Sequence, residues 1–114
     1  DLIAIDLVET TSNTADITFA YSSTTGNSTY ADIQDQPAGP GAYDLTSARI
    51  WLATQWSSHN EDSDMVFGGY GYITYIHEIG HSLGLSHPGS YNGSANFDTD
   101  AEYFQDTRQY TVMS

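Results

Sequence analysis

One run constrains this chain more than any other: His77-Glu78-Ile79-Gly80-His81-Ser82-Leu83-Gly84-Leu85-Ser86-His87-Pro88. Tyr72, Ile73, Ile76, Ile79 and Leu83 recur at helical spacing, which predicts a helix over about 70–84 with Gly84 as its left-handed stop. On a helix, residues four apart differ by about 40° in direction and stand about 6 Å apart at their roots. His77 and His81 therefore share a face and can converge on one ion. Glu78 sits one step round the helix, where a carboxylate reaches a metal-bound water without being a ligand. Gly84 turns the chain, His87 follows three residues later, and Pro88 discourages a return to helix. Three neutral imidazoles leave a fourth zinc position open, as a catalytic rather than a structural site requires. From ordinary residue frequencies this combination arises by chance on the order of once in ten million starting positions, so three unrelated histidines are a poor account of it.

Charge and composition narrow the rest. The 114 residues carry 15 acidic side chains against two arginines, Arg49 and Arg108, for a net charge of −13. A field of that sign repels phosphate backbones and anionic lipid surfaces, so neither nucleic acid nor membrane is expected as a partner. Cysteine is absent, which removes disulfide scaffolds, thiol catalysis and cysteine-type zinc sites together. The length allows one domain with a modest core. No apolar run approaches membrane-spanning length. The chain opens on Asp1 rather than Met, which reads as a processed product or a piece of something longer.

Strand signals fill the first half, about 2–53. Leu2–Val8 is aliphatic and β-branched, Ala15–Tyr21 alternates with period two, and Ala48–Ala53 reads as a further strand. Tyr30-Ala31-Asp32-Ile33 suits a short exposed strand, ended by the breaker Gln36-Pro37-Ala38-Gly39-Pro40-Gly41. Gln55–Asp64 is a polar loop, in which His59 is expected to be solvated. The expected fold is α/β (α+β), with strands first and the histidine-bearing helix after them.

At these residues the sequence resembles the metzincin zinc endopeptidases, whose pattern H-E-x-x-H-x-x-G-x-x-H is met at His77, Glu78, His81, Gly84 and His87. A methionine turn follows in that pattern, and Tyr110-Thr111-Val112-Met113-Ser114 supplies one. Within the metzincins it is similar to the serralysin subgroup of secreted bacterial proteases, through His87-Pro88-Gly89, Tyr91-Asn92 and Asp106-Thr107-Arg108-Gln109-Tyr110. The resemblance implies that His77, His81 and His87 bind zinc, that Glu78 is the general base, and that Met113 is the apolar floor beneath the metal. It implies a twisted mixed sheet whose antiparallel edge strand pairs with bound peptide, with Tyr30, Ala31, Asp32 and Ile33 as the candidate edge. The substrates would be proteins and peptides, and the setting extracellular. Residues 1–114 would be a partial catalytic domain, with third ligand and methionine turn in 85–114. The family's first strand and helix, its calcium-binding carboxyl-terminal β-roll, and a switch tyrosine one residue beyond Ser114 would lie outside them. The remaining segments of the same protease would then be partners, and calcium a cofactor of the full-length parent.

Two other readings compete: an inert zinc-binding fragment of such a protease, and a non-enzymatic acidic module that captures calcium or cationic partners. The cluster Asp98, Asp100, Glu102 and Asp106 fits no defined calcium loop and reads as a solvated face. Arg108 is expected to pair with Asp106 or Glu102. Tyr70, Tyr72 and Tyr75 are expected to pack and hydrogen-bond around the helix.

Overall fold

The computed structural model describes residues 5–24, 28–54 and 65–114. Among these residues the elements run β1 (Ile17–Ser22), β2 (Tyr30–Gly39), β3 (Ala42–Ala53), α1 (Tyr70–Ser82) and α2 (Phe97–Asp100). The sheet order is β1-β3-β2. β1 lies parallel to β3, with Ile17 opposite Ala48 and Ser22 opposite Ala53. β2 lies antiparallel to β3, with Tyr30 opposite Trp51 and Ile33 opposite Ala48. The result is an α+β arrangement, an open mixed sheet with α1 packed against β2 and β3.

The sheet's alternation sorts β3 into two faces. Ala48, Ile50 and Leu52 are buried, and Ile50 and Leu52 fully so. Arg49 and Trp51 project from the other face, where the guanidinium stands 5.4 Å from the indole ring centre. Arg49 also donates to Thr18 Oγ1. The buried positions of α1 are mostly small: Gly71, Gly80 and Ser82, together with Glu78. The apolar stripe that predicts the helix is not its buried face, since Ile76 is 38% exposed. Glu78 meets β2 through the Ala31 backbone, while the bare Gly80 makes room for Met113.

Two expectations from sequence are corrected. Leu2–Val8 reads as a strand. Residues 2–4 lie outside the described residues, and Ile5–Val8 form none. Ile5, Leu7 and Val8 are exposed, without the packed face that stabilises a strand. The breaker Gln36–Gly41 does not end β2 early, because the strand continues to Gly39 and turns at Pro40-Gly41 into β3. Proline is tolerated at a sheet edge, and register shifts at Gln34/Asp35 and Pro37/Gly39 absorb the irregularity. Positive φ at Gly41, +72°, is what the tight return needs. His59 lies outside the described residues.

Gly84 behaves as its position predicts. α1 ends at Ser82, Leu83 caps it, and Gly84 takes φ +89°. The Gly84 N–H donates to the His81 carbonyl at 2.9 Å and the Leu85 N–H to the Gly80 carbonyl at 3.0 Å, the paired bonds of a Schellman stop.

Because Ile50 is, with Leu52, one of the two large fully enclosed side chains among the described residues, Ile50→Ala is expected to cost about 2–5 kcal/mol. Urea unfolding checks this: the midpoint should fall with little change in the denaturant slope.

Candidate metal centre

Three imidazoles meet at the carboxyl end of α1. His77 and His81 come from one helical face, and His87 returns from beyond the Schellman stop. Their Nε2 atoms form a nearly equilateral triangle: 3.1 Å between His77 and His81, and 3.2 Å from each to His87. Each ring's other nitrogen faces a backbone carbonyl. His77 Nδ1 is 2.6 Å from the Val112 oxygen, His81 Nδ1 2.8 Å from that of Leu85, and His87 Nδ1 2.9 Å from that of Tyr91. A carbonyl only accepts, so each Nδ1 carries the proton and each Nε2 presents a lone pair.

Three lone pairs directed at one point repel one another unless a cation lies between them. Tetrahedral zinc ligands at about 2.0–2.1 Å stand about 3.3–3.4 Å apart, close to the observed triangle. Nitrogen donors of this softness, with carbonyl partners behind them, fit a borderline divalent metal. Among the described residues no other set of three histidine or carboxylate groups converges in this way. Burial lowers the His77 pKa, the Val112 hydrogen bond opposes that, and the other two imidazoles and Arg108 lower it further. The net effect favours the neutral ring that a ligand must be.

Glu78 is 6% exposed. Burial pushes its pKa up to about 7, against a hydrogen bond from the Ala31 backbone that lowers it. Ala31 belongs to β2, so the carboxylate is tied to the edge strand, a contact with no signal in the sequence. Tyr30, Ala31 and Ile33 line the same cleft as the three histidines and Glu78, whereas Asp32 faces a groove on the other side of the sheet with Arg49.

Met113 is 5% exposed and packs against Gly80 of α1. A Cβ added to Gly80 would come within 2.5 Å of its sulfur, so glycine makes room for it. Val112, the residue before it, supplies the carbonyl that holds His77.

The remaining candidates sort differently from the sequence expectation. Arg108 makes no ion pair among the described residues; its guanidinium sits 5.2 Å from the Tyr70 ring centre. Asp106 is buried and held by neutral donors from Tyr91, Ser114 and the Glu102 backbone, which leaves it no need of a cation. It is therefore not part of a solvated acidic face. Burial acts to raise its pKa, but the bonds from Tyr91, Ser114 and Glu102 outweigh this and hold it below the usual value. That stabilises the fold above the ordinary carboxylate range and fades as pH falls through the depressed value. Asp100 accepts from the Asn96 backbone, and Glu102 from Ser90. Tyr75 stacks on Phe19 and Tyr72 packs beside Phe67, as packing residues should, but Tyr70 lines the cleft.

The chain is similar to known proteins over most of its length. The chain is 38% identical to serralysin B of Dickeya chrysanthemi across 88% of its length, and 35% identical to a serralysin of Photorhabdus laumondii across all of it. It is 39% identical to the metallopeptidase AprA of Pseudomonas marginalis across 90%. The chain spans only 21–24% of the length of these relatives. No family model and no solved structure matches it. Three histidines that converge for a metal, together with these relatives, make the chain a segment of metalloprotease type. Within that class, the chain belongs to the serralysin family.

The Gly80–Met113 contact gives a direct check. Gly80→Ala is expected to destabilise by about 1–3 kcal/mol through overpacking. In a Met113→Ala background most of that cost should vanish, and a double-mutant cycle on unfolding free energies measures the difference.

Proposed function

We propose that these residues form the catalytic centre of a secreted bacterial zinc endopeptidase. The observation that carries this is the triangle of Nε2 lone pairs, with every Nδ1 committed to a carbonyl and Glu78 beside it. His77, His81 and His87 would hold the metal. Zinc bound there supplies a Lewis acid for the scissile carbonyl and lowers the pKa of a coordinated water toward neutrality.

The protein's own groups do the rest. Glu78 accepts the proton of the attacking water and returns it to the departing amine. Burial raises this carboxyl in the metal-free site, and a bound cation would act the other way, favouring the ionised form that accepts a proton. β2 pairs with strands on one side only among the described residues, leaving its outer edge toward the cleft. An extended peptide would add there through main-chain hydrogen bonds, which bind firmly and demand little of sequence. Tyr30, Ala31, Asp32 and Ile33 are the residues we assign to that edge, with the Ala31 N–H engaged by Glu78, and unfolded proteins the substrates. Met113 closes the floor of the site with an apolar side chain. No described helix is long and apolar enough to cross a membrane.

The test uses the full-length protease and a fluorescently labelled, denatured protein substrate. Chelation should abolish hydrolysis and added zinc restore it. Glu78→Gln should lower kcat by about 10²–10⁴-fold while zinc content stays at the wild-type level. Hydrolysis indifferent to chelation or to Glu78→Gln would overturn the mechanism.

A further inference from the structure

Beyond the ligands and Glu78, one buried carboxylate joins the two parts of the chain that hold the histidines. Asp106 Oδ1 accepts hydrogen bonds from the Tyr91 hydroxyl at 2.5 Å and the Ser114 hydroxyl at 2.9 Å, and Oδ2 from the Glu102 N–H at 3.4 Å. Tyr91 in turn grips His87 twice. Its carbonyl accepts from His87 Nδ1 at 2.9 Å. Its ring stacks on the imidazole, with centroids 5.4 Å apart and planes 20° from parallel. Ser114 follows Met113, which packs on Gly80, and Val112, which holds His77.

Gly89 is shaped to this arrangement. A Cβ there would stand 2.7 Å from the Tyr91 ring and 2.9 Å from Asp106 Oδ2, so the loop that carries His87 must be bare at this point.

We propose that Asp106 is a positioning residue for His87. Acting through Tyr91, it fixes the orientation of the third imidazole, and through Ser114 it locks that imidazole to the segment that supports His77 and Met113. His87 lies beyond the end of α1, so the helix alone does not set its ring. The carboxylate supplies that constraint from neutral donors, with Arg108 turned away over Tyr70. This rests on the reading of the three histidines as metal ligands. Partners standing one shell behind a ligand typically tune affinity by about ten- to hundredfold.

The experiment measures zinc affinity of the full-length protein by competition with a chromogenic chelator, together with the visible absorption band of the cobalt(II)-substituted form. Tyr91→Phe keeps the ring stack and loses only the hydroxyl. It should weaken zinc by about tenfold or more and shift the cobalt band; the metal-free urea midpoint should fall modestly, since Asp106 loses one of its donors, so the cobalt band is the readout that separates positioning from stability. Ser114→Ala should weaken zinc as well. Because both hydroxyls serve one oxygen, the double variant should lose less than the product of the single losses. Asp106→Asn keeps an acceptor and should retain more affinity than Asp106→Ala. Should the Asp106 variants not fold, Tyr91→Phe decides. His87→Ala separates the two levels of inference. If it loses zinc while Tyr91→Phe binds as wild type with an unchanged cobalt band, the positioning role falls and the metal centre stands. If His87→Ala binds zinc as the wild type does, the metal reading falls and takes the proposal with it.

Discussion

The structure around this site depends on three hydrogen bonds from ring nitrogens to backbone carbonyls. Without them each imidazole could present either nitrogen to its neighbours, and a proton between two rings would satisfy the pair. With Val112, Leu85 and Tyr91 accepting, that freedom is gone, and the triangle of Nε2 atoms is a set of acceptors with no donor. Each carbonyl comes from a segment whose path is separately fixed. Leu85 is placed by the Schellman stop at Gly84, Tyr91 by its hydroxyl anchor, and Val112 by the turn that leads to Met113.

The glycines show how tightly the parts are bound to one another. Gly80 admits Met113 beneath the helix, Gly84 ends the helix in a left-handed conformation, and Gly89 lets Tyr91 and Asp106 close on each other. All three fall within the ligand-bearing run or just after it. Two are needed for close approach and one for backbone direction, so replacing them harms different things.

Much of this was legible in the residues. The spacing of His77, His81, Gly84 and His87 is enough to foresee their meeting, because helix geometry is rigid and a left-handed glycine is a reliable stop. Ala15–Tyr21 and Ala48–Ala53 announce their strands by alternation. The shape of β2 was less legible: a proline and two glycines look like an end, and only pairing with a long β3 on one side shows that an edge can carry them. Ile5–Val8 failed in the opposite sense, since β-branched composition without a packed neighbour makes no strand. The tie from Ala31 to Glu78 and the bonds that hold Asp106 have no local pattern at all. They join residues far apart in sequence, and an isolated aspartate among other acids reads as solvated until its donors are seen. Arg108 misled for a related reason, because the general shortage of cations suggested an ion pair where an aromatic ring was the nearer partner.

Among the described residues β2 is paired on one side only, and an edge of that kind offers unpaired main chain to a second molecule of its own kind. Two copies meeting edge to edge would bring together chains that each carry thirteen surplus negative charges, with Asp32 and Asp35 on the edge strand itself. Pro37 and the irregular register beside it make a poor template for a regular ladder. A neutral, flexible chain pays little of that repulsion. Negative charge and irregular register therefore guard β2 against edge-to-edge association, without any element having to cover it.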